Sequence, residues 1–294
     1  MGNLKITRRK LIGTCGSVAL LSIGIGASER IVKILDLNQS TEYITEESGH
    51  ILNDIRFAIV GDPHVNIGDM DNISDYGNKR LEQVVNFSNK SDVDFIVFIG
   101  DMADDGTRES NELIKDILKN LNKPYYVVAG NHDLFVSSDI FEEYYGPMEH
   151  IEYINGYQLL FIGIYQEKTE DGTILKWSFD FSKADKKVRT LVFIHGPVTD
   201  LPIGCIHCQI KGKEILEYAK SIKGELDRFN NLIGVYSGHI HYDSDQVIDG
   251  TRYVTVNGLN NIRFGEYIKV VNFSDKIGYS EIKDGKSYYE LVSY

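Results

Sequence analysis

The sequence predicts an α/β protein with a mixed β-sheet, and three observations carry that expectation. Short apolar runs rich in β-branched and aromatic residues stand at 56–60 (RFAIV), 95–99 (FIVFI), 125–128 (YYVV), 191–194 (LVFI) and 232–236, and they read as buried strands. Stretches with helical spacing separate several of them. Late in the chain, Asn155-Gly156 and Asp249-Gly250 mark two-residue turns between antiparallel strands. Strand–helix alternation implies parallel pairs and the hairpins add antiparallel ones, so the sheet is mixed.

Composition narrows the function classes. Of the 294 residues, 42% are hydrophobic and 25% charged, an ordinary globular balance that excludes disorder and collagen-like fibres. No apolar run is long enough for a multi-span membrane protein. Acidic residues outnumber basic ones 43 to 31, for a net charge of −12. All four charges before residue 28 are basic: Lys5, Arg8, Arg9 and Lys10. Without them, 27 basic residues face 43 acidic ones, a net charge of −16. Such a body repels a phosphate backbone, so general nucleic-acid binding is not expected.

Taken in order, the first element is an address. Residues 1–27 place a basic segment before an apolar stretch at 11–27, the layout of an export signal. Thr7-Arg8-Arg9, followed by Leu11 and Ile12, resembles the twin-arginine signal of prokaryotes, which implies the twin-arginine export machinery as a partner and a periplasmic or extracellular location. If uncleaved, residues 11–27 would tether the protein to a membrane; the four glycines there weaken such an anchor. Residues 28–54 are polar, lack strong periodicity and read as a linker and lead-in. The main domain is expected over 55–294.

Within that domain, 56–60 is the first strand and 79–89 a helix. The strand at 95–99 precedes a helix whose Leu113, Ile114, Ile117, Leu118 and Leu121 share one face. Another strand follows Pro124. The hairpin at 155–156 leads into 159–164, a helical stretch at 213–229 separates the last two buried strands, and the tail reads as β. Cys205 and Cys208 are the two cysteines beyond the signal. In an exported protein they can close a small disulfide loop, whereas a zinc site would need two more ligands and only His207 is near.

The chemistry gathers where the strands end. Gly61-Asp62-Pro63-His64 follows the first, Gly100-Asp101-Met102-Ala103-Asp104-Asp105-Gly106 the second, and Gly130-Asn131-His132-Asp133 the third. His195-Gly196 and Gly238-His239-Ile240-His241 follow later ones. Ligand sites in open α/β sheets sit at the carboxyl ends of strands. Five of the eight histidines lie in these clusters, and a core does not hold five imidazoles and several carboxylates unless something satisfies them.

In order and in spacing, these five clusters resemble the motifs of calcineurin-like metallophosphoesterases, over about residues 55–245. Gly100–Gly106 (GDMADDG) looks most like the branch with cyclic-nucleotide phosphodiesterases. The resemblance implies a four-layer α-β-β-α sandwich with two mixed sheets. It also implies two divalent or trivalent transition metal ions (Mn, Fe or Zn), which suit mixed imidazole and carboxylate donors. Carried onto this chain, one metal takes Asp62, His64 and His241, the other Asn131, His195 and His239, and Asp101 bridges both. Metals about 3.5–4 Å apart can share a hydroxide that attacks phosphorus in line, so no protein nucleophile is needed. His132 resembles the family's general acid and Asp104 the partner that orients it, while Asp133 reads as a loop brace. The implied activity is hydrolysis of a small phosphoester, with phosphodiesters favoured over phosphomonoesters. The competing reading is a non-catalytic scaffold on the same fold, but such proteins lose ligands, and here every position is filled. The loops 66–79 and 198–209 should overhang the site.

Overall fold

The computed structural model describes residues 18–25, 29–36, 41–45, 51–52, 55–67, 75–169, 172–199, 221–259 and 269–273. The chain divides into two compact units, Met1–Asn53 and Asp54–Tyr294. In the first, β1 (Val18–Ile25), β2 (Glu29–Asp36), β3 (Thr41–Thr45) and β4 (Ile51–Leu52) form an antiparallel sheet in chain order. Strands therefore occupy much of the stretch read as a lead-in. Runs such as ERIVKILD favour extended backbone through their β-branched residues although they lack strict alternation. Among the described residues, no helix is long and apolar enough to cross a membrane.

The described residues of the second unit form two sheets. One has the order β15-β5-β6-β7, built from β5 (Ile55–Val60), β6 (Phe95–Ile99), β7 (Tyr125–Val128) and β15 (Lys269–Phe273). Its β5-β6 and β6-β7 pairs are parallel, and β15 lies antiparallel to β5. The other sheet has the order β10-β9-β11-β12-β14-β13, with β8 also on β9. It uses β8 (His150–Ile154), β9 (Tyr157–Thr169), β10 (Gly172–Ser178), β11 (Arg189–Ile194), β12 (Leu232–Ser237), β13 (Ser244–Ile248) and β14 (Thr251–Thr255). The β9-β11, β11-β12 and β12-β14 pairs are parallel and the flanking pairs antiparallel. Both sheets are mixed.

Period-two strands buried on both faces explain the layering. Between the sheets, Phe57, Phe95 and Val97 pack with Phe161, Phe193 and Tyr236. Phe57 stacks on Phe95 at 5.2 Å and meets Phe193 edge-on at 5.6 Å. The opposite face of the first sheet (Ala58, Val60, Ile96, Phe98) is covered by Leu81 and Val84 of α1 (Asp75–Lys90), Ile114 and Ile117 of α2 (Arg108–Leu118) and Phe141 of α3 (Ser138–Tyr145). The outer face of the second sheet (Leu160, Ile162, Val192, Ile194) packs against Ile222, Leu226 and Phe229, which lie in and just beyond a helical segment at 221–226. Helix, sheet, sheet and helix make the four-layer sandwich.

Both hairpins form where the turn residues place them. Asn155 and Gly156 have φ of 51° and 84°, and Asp249 and Gly250 have 50° and 84°. Two successive positive φ values define the tight turn that matches strand twist. The helix α3 was not legible in the sequence. It has eight residues, and its signal is the cap at Ser137, whose hydroxyl accepts from Asp139 N–H. Residues 213–220 of the expected third helix, and Cys205, His207 and Cys208, lie outside the described residues.

Candidate metal centre

Five parallel strands, three from one sheet and two from the other, deliver their C-terminal ends to one place. β5 ends just before Asp62 and His64, β6 before Asp101, β7 before Asn131, β11 before His195, and β12 before His239 and His241. The loops are stitched to each other by backbone hydrogen bonds. His64 N–H donates to Asp101 O at 2.8 Å, Asp104 N–H to Val65 O at 2.9 Å, and Gly238 N–H to His195 O at 2.9 Å.

The backbone is strained where these side chains sit. Asp62, His64, Asp101, His239 and His241 have φ of 47°, 47°, 51°, 72° and 49°. Each costs energy in a residue with a Cβ, and such outliers persist only where the surroundings over-determine them. Five in one cluster turn the side chains inward together. Glycines leave the space for them. A Cβ on Gly130 would lie 2.2 Å from Asp101 Oδ1, and one on Gly238 would lie 2.5 Å from Asp62 Oδ2.

The donor atoms converge in two groups. Asp62, His64 and His241 bring one donor each within 4.8 Å of one another, and so do Asp101, His195 and His239. His64 Nε2 is 3.2 Å from His241 Nε2, and His241 Nε2 is 3.5 Å from Asp62 Oδ1. In the second group, His195 Nε2 is 3.1 Å from His239 Nδ1 and 3.2 Å from Asn131 Oδ1. Asp101 joins the groups. Its Oδ1 accepts from His132 N–H at 2.8 Å, while its Oδ2 lies 3.5 Å from His64 Nε2 and 3.4 Å from His195 Nε2. Ring nitrogens aimed at each other with carboxylates between them suit cations better than they suit one another, so the donor set fits metal ions.

Partners behind the donors fix which nitrogen faces the centre. His195 Nδ1 donates to Ile99 O at 2.8 Å, and His64 Nδ1 donates to Asp104 Oδ1 at 2.9 Å, which turns both Nε2 atoms inward. Burial opposes protonation of His195, but Asp101 and Asp62 outweigh it and hold its pKa up at about 9. The same contest raises His64, where the Asp104 hydrogen bond and the nearby carboxylates overcome burial. Burial works against ionisation of Asp101, yet His195 and His64 keep its pKa far below the usual carboxylate range. The centre is thus poised to hold positive charge.

His132 and Asp104 meet in a way that differs from expectation. The imidazole Nδ1 donates to the backbone carbonyl of Asp104 at 2.6 Å, whereas the Asp104 carboxylate is 3.5 Å from that nitrogen and belongs to His64. The carboxylate reaches the nearer ring because the Val65–Ala103 bridge draws the two loops together. Asp104 therefore orients His132 through its main chain. A third grouping, His64, Asp101 and His132, also brings donors within 4.8 Å. Asp133 is buried and accepts from Ala103 N–H at 3.0 Å and Gly130 N–H at 2.9 Å, bracing the loop.

Three further residues, Asn66, Asn78 and Phe135, were not singled out by the sequence. Asn66 donates to Asp104 Oδ2 at 3.3 Å, and Asn78 of α1 bonds both the N–H and the carbonyl of Asn66. Phe135 packs on His132 with ring centroids 4.5 Å apart. The available signal for Phe135 was its place, an aromatic residue in the polar turn after Asn131-His132-Asp133.

The chain is similar to several known proteins. The chain is 26% identical over 214 residues to a Fibrobacter succinogenes protein named "probable cyclic nucleotide phosphodiesterase", covering 68% of this chain and 78% of that one. It is 30% identical over 160 residues to an Arcobacter nitrofigilis protein named "probable glycerophosphodiester phosphodiesterase", covering 50% and 56%. Two solved structures share the fold at a TM-score of 0.56. A dimetal phosphatase from Danio rerio is 12% identical, with 74% of this chain and 92% of that one covered. A purple acid phosphatase from yellow lupin is 11% identical, with 93% and 66% covered. The model of the calcineurin-like phosphoesterase family matches residues 55–243, well over half the chain and all five strand-end clusters. On that match the protein belongs to the calcineurin-like phosphoesterases, hydrolases of phosphoester bonds that work with divalent metal ions.

Proposed function

We propose that the protein is an exported phosphodiesterase with a dinuclear centre. The observation that carries the reading is Asp101, whose Oδ2 lies between His64 Nε2 and His195 Nε2 at 3.5 and 3.4 Å. One ion would be held by Asp62, His64 and His241, the other by Asn131, His195 and His239, with Asp101 shared. Mn, Fe and Zn suit this donor set. When bound, the ions supply an activated water and positive charge for the phosphoryl oxygens.

The chain's own residues do the rest. His132 Nδ1–H is tied to the Asp104 carbonyl, so Nε2 is the atom left to give a proton to the departing oxygen. Asp104 and Asn66 hold the His64 ring in the tautomer that presents Nε2. The relatives' names support diester over monoester cleavage. The test is turnover of purified protein loaded with Mn, Fe or Zn on bis-nitrophenyl phosphate, nitrophenyl phosphate and cyclic nucleotides. Faster hydrolysis of the monoester than of both diesters would overturn the diester reading, and full activity after thorough chelation would overturn the metal reading.

Export is supported by Arg8-Arg9 before the apolar stretch. A site assembled from Asp62 to His241 exists only in the folded chain, and the twin-arginine machinery would carry it out folded, with its ions already chosen. If 11–27 stays uncleaved, the enzyme is held at the membrane. Replacing both arginines by lysine should retain the protein inside the cell; normal export of that variant would remove the twin-arginine reading.

A further inference from the structure

Among the described phenylalanines, Phe57, Phe95, Phe141, Phe161 and Phe193 are almost fully buried. Phe135 is 54% exposed and its neighbour Val136 is 56% exposed. Phe135 sits in a turn closed by its own N–H donating to His132 O at 3.2 Å. Its ring lies against the His132 ring at 4.5 Å and 41°, and His132 meets His64 edge-on at 4.5 Å. Three rings thus run in a row from a metal-ligand candidate, through the acid candidate, to solvent. One face of the Phe135 ring is occupied by His132, and the open side remains in water at a cost that burial against a ligand would recover. The group beside the proton donor in a phosphodiester is the leaving alcohol, so the open ring flanks the place where that alcohol must lie.

We propose that Phe135 is a specificity-determining residue that stacks on a flat ring carried by the leaving alcohol. The site then favours phosphodiesters of nucleosides over those of glycerol or ethanolamine. The inference rests on the phosphodiesterase reading above and names its substrate class. A base offers a π-face to an aromatic side chain whatever its sequence identity, which suits an exposed ring beside the acid candidate.

The experiment compares two substrates whose leaving groups are both alkoxides, so that any change in proton donation by His132 affects them alike. Adenosine 3′,5′-cyclic monophosphate carries a base and glycerophosphoethanolamine does not. Phe135→Leu keeps apolar bulk and removes the flat ring, and Phe135→Tyr keeps the ring. Phe135→Leu should lower kcat/KM for the cyclic nucleotide by about 5- to 100-fold, mainly through KM, the loss expected for one base–aromatic stack. Glycerophosphoethanolamine should lose little by comparison, and Phe135→Tyr should stay near wild type on both. Equal losses on both substrates would make the ring a support for His132 and overturn the proposal, as would no loss on either. Calorimetric binding of adenosine 5′-monophosphate and of glycerol 3-phosphate gives a second readout: Phe135→Leu should weaken the nucleotide selectively. If wild-type protein cleaves neither diester with any metal, the phosphodiesterase reading fails. The binding comparison still decides the role of Phe135, and equal nucleotide affinity in wild type and Phe135→Leu overturns it.

Discussion

The Nε2 atoms of His64 and His241 face each other at 3.2 Å across 177 residues of chain. Both residues have φ near 50°, and the His64 Nδ1 is committed to Asp104, so its Nε2 is the atom that faces its neighbour. Two ring nitrogens held this close need a proton or a cation between them. The fold spends backbone strain to create that arrangement, which is the mark of a site built for a ligand rather than for stability.

Asp101 is the residue on which both donor groups depend, so Asp101→Asn should be the most damaging single ligand change. We expect it to lower activity by more than about 100-fold, beyond what loss of an outer partner costs, and to leave well under two metals per chain. Asp62→Asn touches the His64–His241 group and should spare more of the second ion. Elemental analysis beside turnover checks both. Equal metal loss in the two variants would contradict the bridging role.

Much of this centre is legible in the sequence, because each donor cluster follows a short apolar strand and contains a glycine. Strand ends and turn pairs such as Asn155-Gly156 and Asp249-Gly250 are local signals, and local signals survive in sequence. The links between loops were not legible. Which histidine the Asp104 carboxylate would reach depends on how the loops after β5 and β6 pair, a contact between residues 40 apart. The carbonyl of Ile99 that fixes His195 is a backbone atom with no signature at all. The short helix α3 was missed because eight residues seldom show a clear helical period, and the strands after residue 28 because runs such as ERIVKILD mix charged and apolar residues without strict alternation.

Because the Asp104 carboxylate holds His64 rather than His132, Asp104→Asn should act first on metal binding. An amide at this place cannot hold the imidazole in the same charge-assisted way, and losing such an outer partner costs roughly 10- to 100-fold in metal affinity. Proton donation by His132 should change little, since the carbonyl that bonds its Nδ1 remains. Titration with Mn, with turnover measured at saturating metal, separates the two. Unchanged affinity with impaired turnover would return the carboxylate to His132.

His150 gives a pH prediction away from the centre. Its ring is stacked on Phe161 at 4.4 Å and 10°, and burial lowers its pKa below the usual 6.5 despite a backbone hydrogen bond at Pro147 and nearby Glu152. A histidine whose pKa is depressed on folding binds fewer protons in the native state than in the unfolded one. Its contribution is therefore complete above the unfolded pKa and is lost as pH falls through the folded one. His150→Phe keeps the stack and removes the titration. Denaturant midpoints at pH 7.5 and 5.5 should fall less for this variant than for wild type. Identical falls would show that the ring does not titrate in this range.

His132 is where binding and chemistry can be told apart. Its neighbour Asn131 lies 3.2 Å from His195 Nε2, and its own N–H holds Asp101 Oδ1, so one turn aims consecutive residues at different tasks. If the side chain serves as the acid, His132→Ala should keep the fold and both metals, because the main-chain bond to Asp101 stays. Catalysis should fall by roughly 100- to 10,000-fold, the usual range for a positioned acid. An alkoxide leaving group needs the proton and should show the full loss, whereas nitrophenolate departs unprotonated and should show much less. Turnover on both classes is therefore measured beside metal content. Equal losses on the two classes would make His132 a stabiliser of phosphate charge, since that role does not depend on the leaving group. Loss of metal would instead favour the grouping in which His132, His64 and Asp101 share one ion, and the ligand set would have to be redrawn around it.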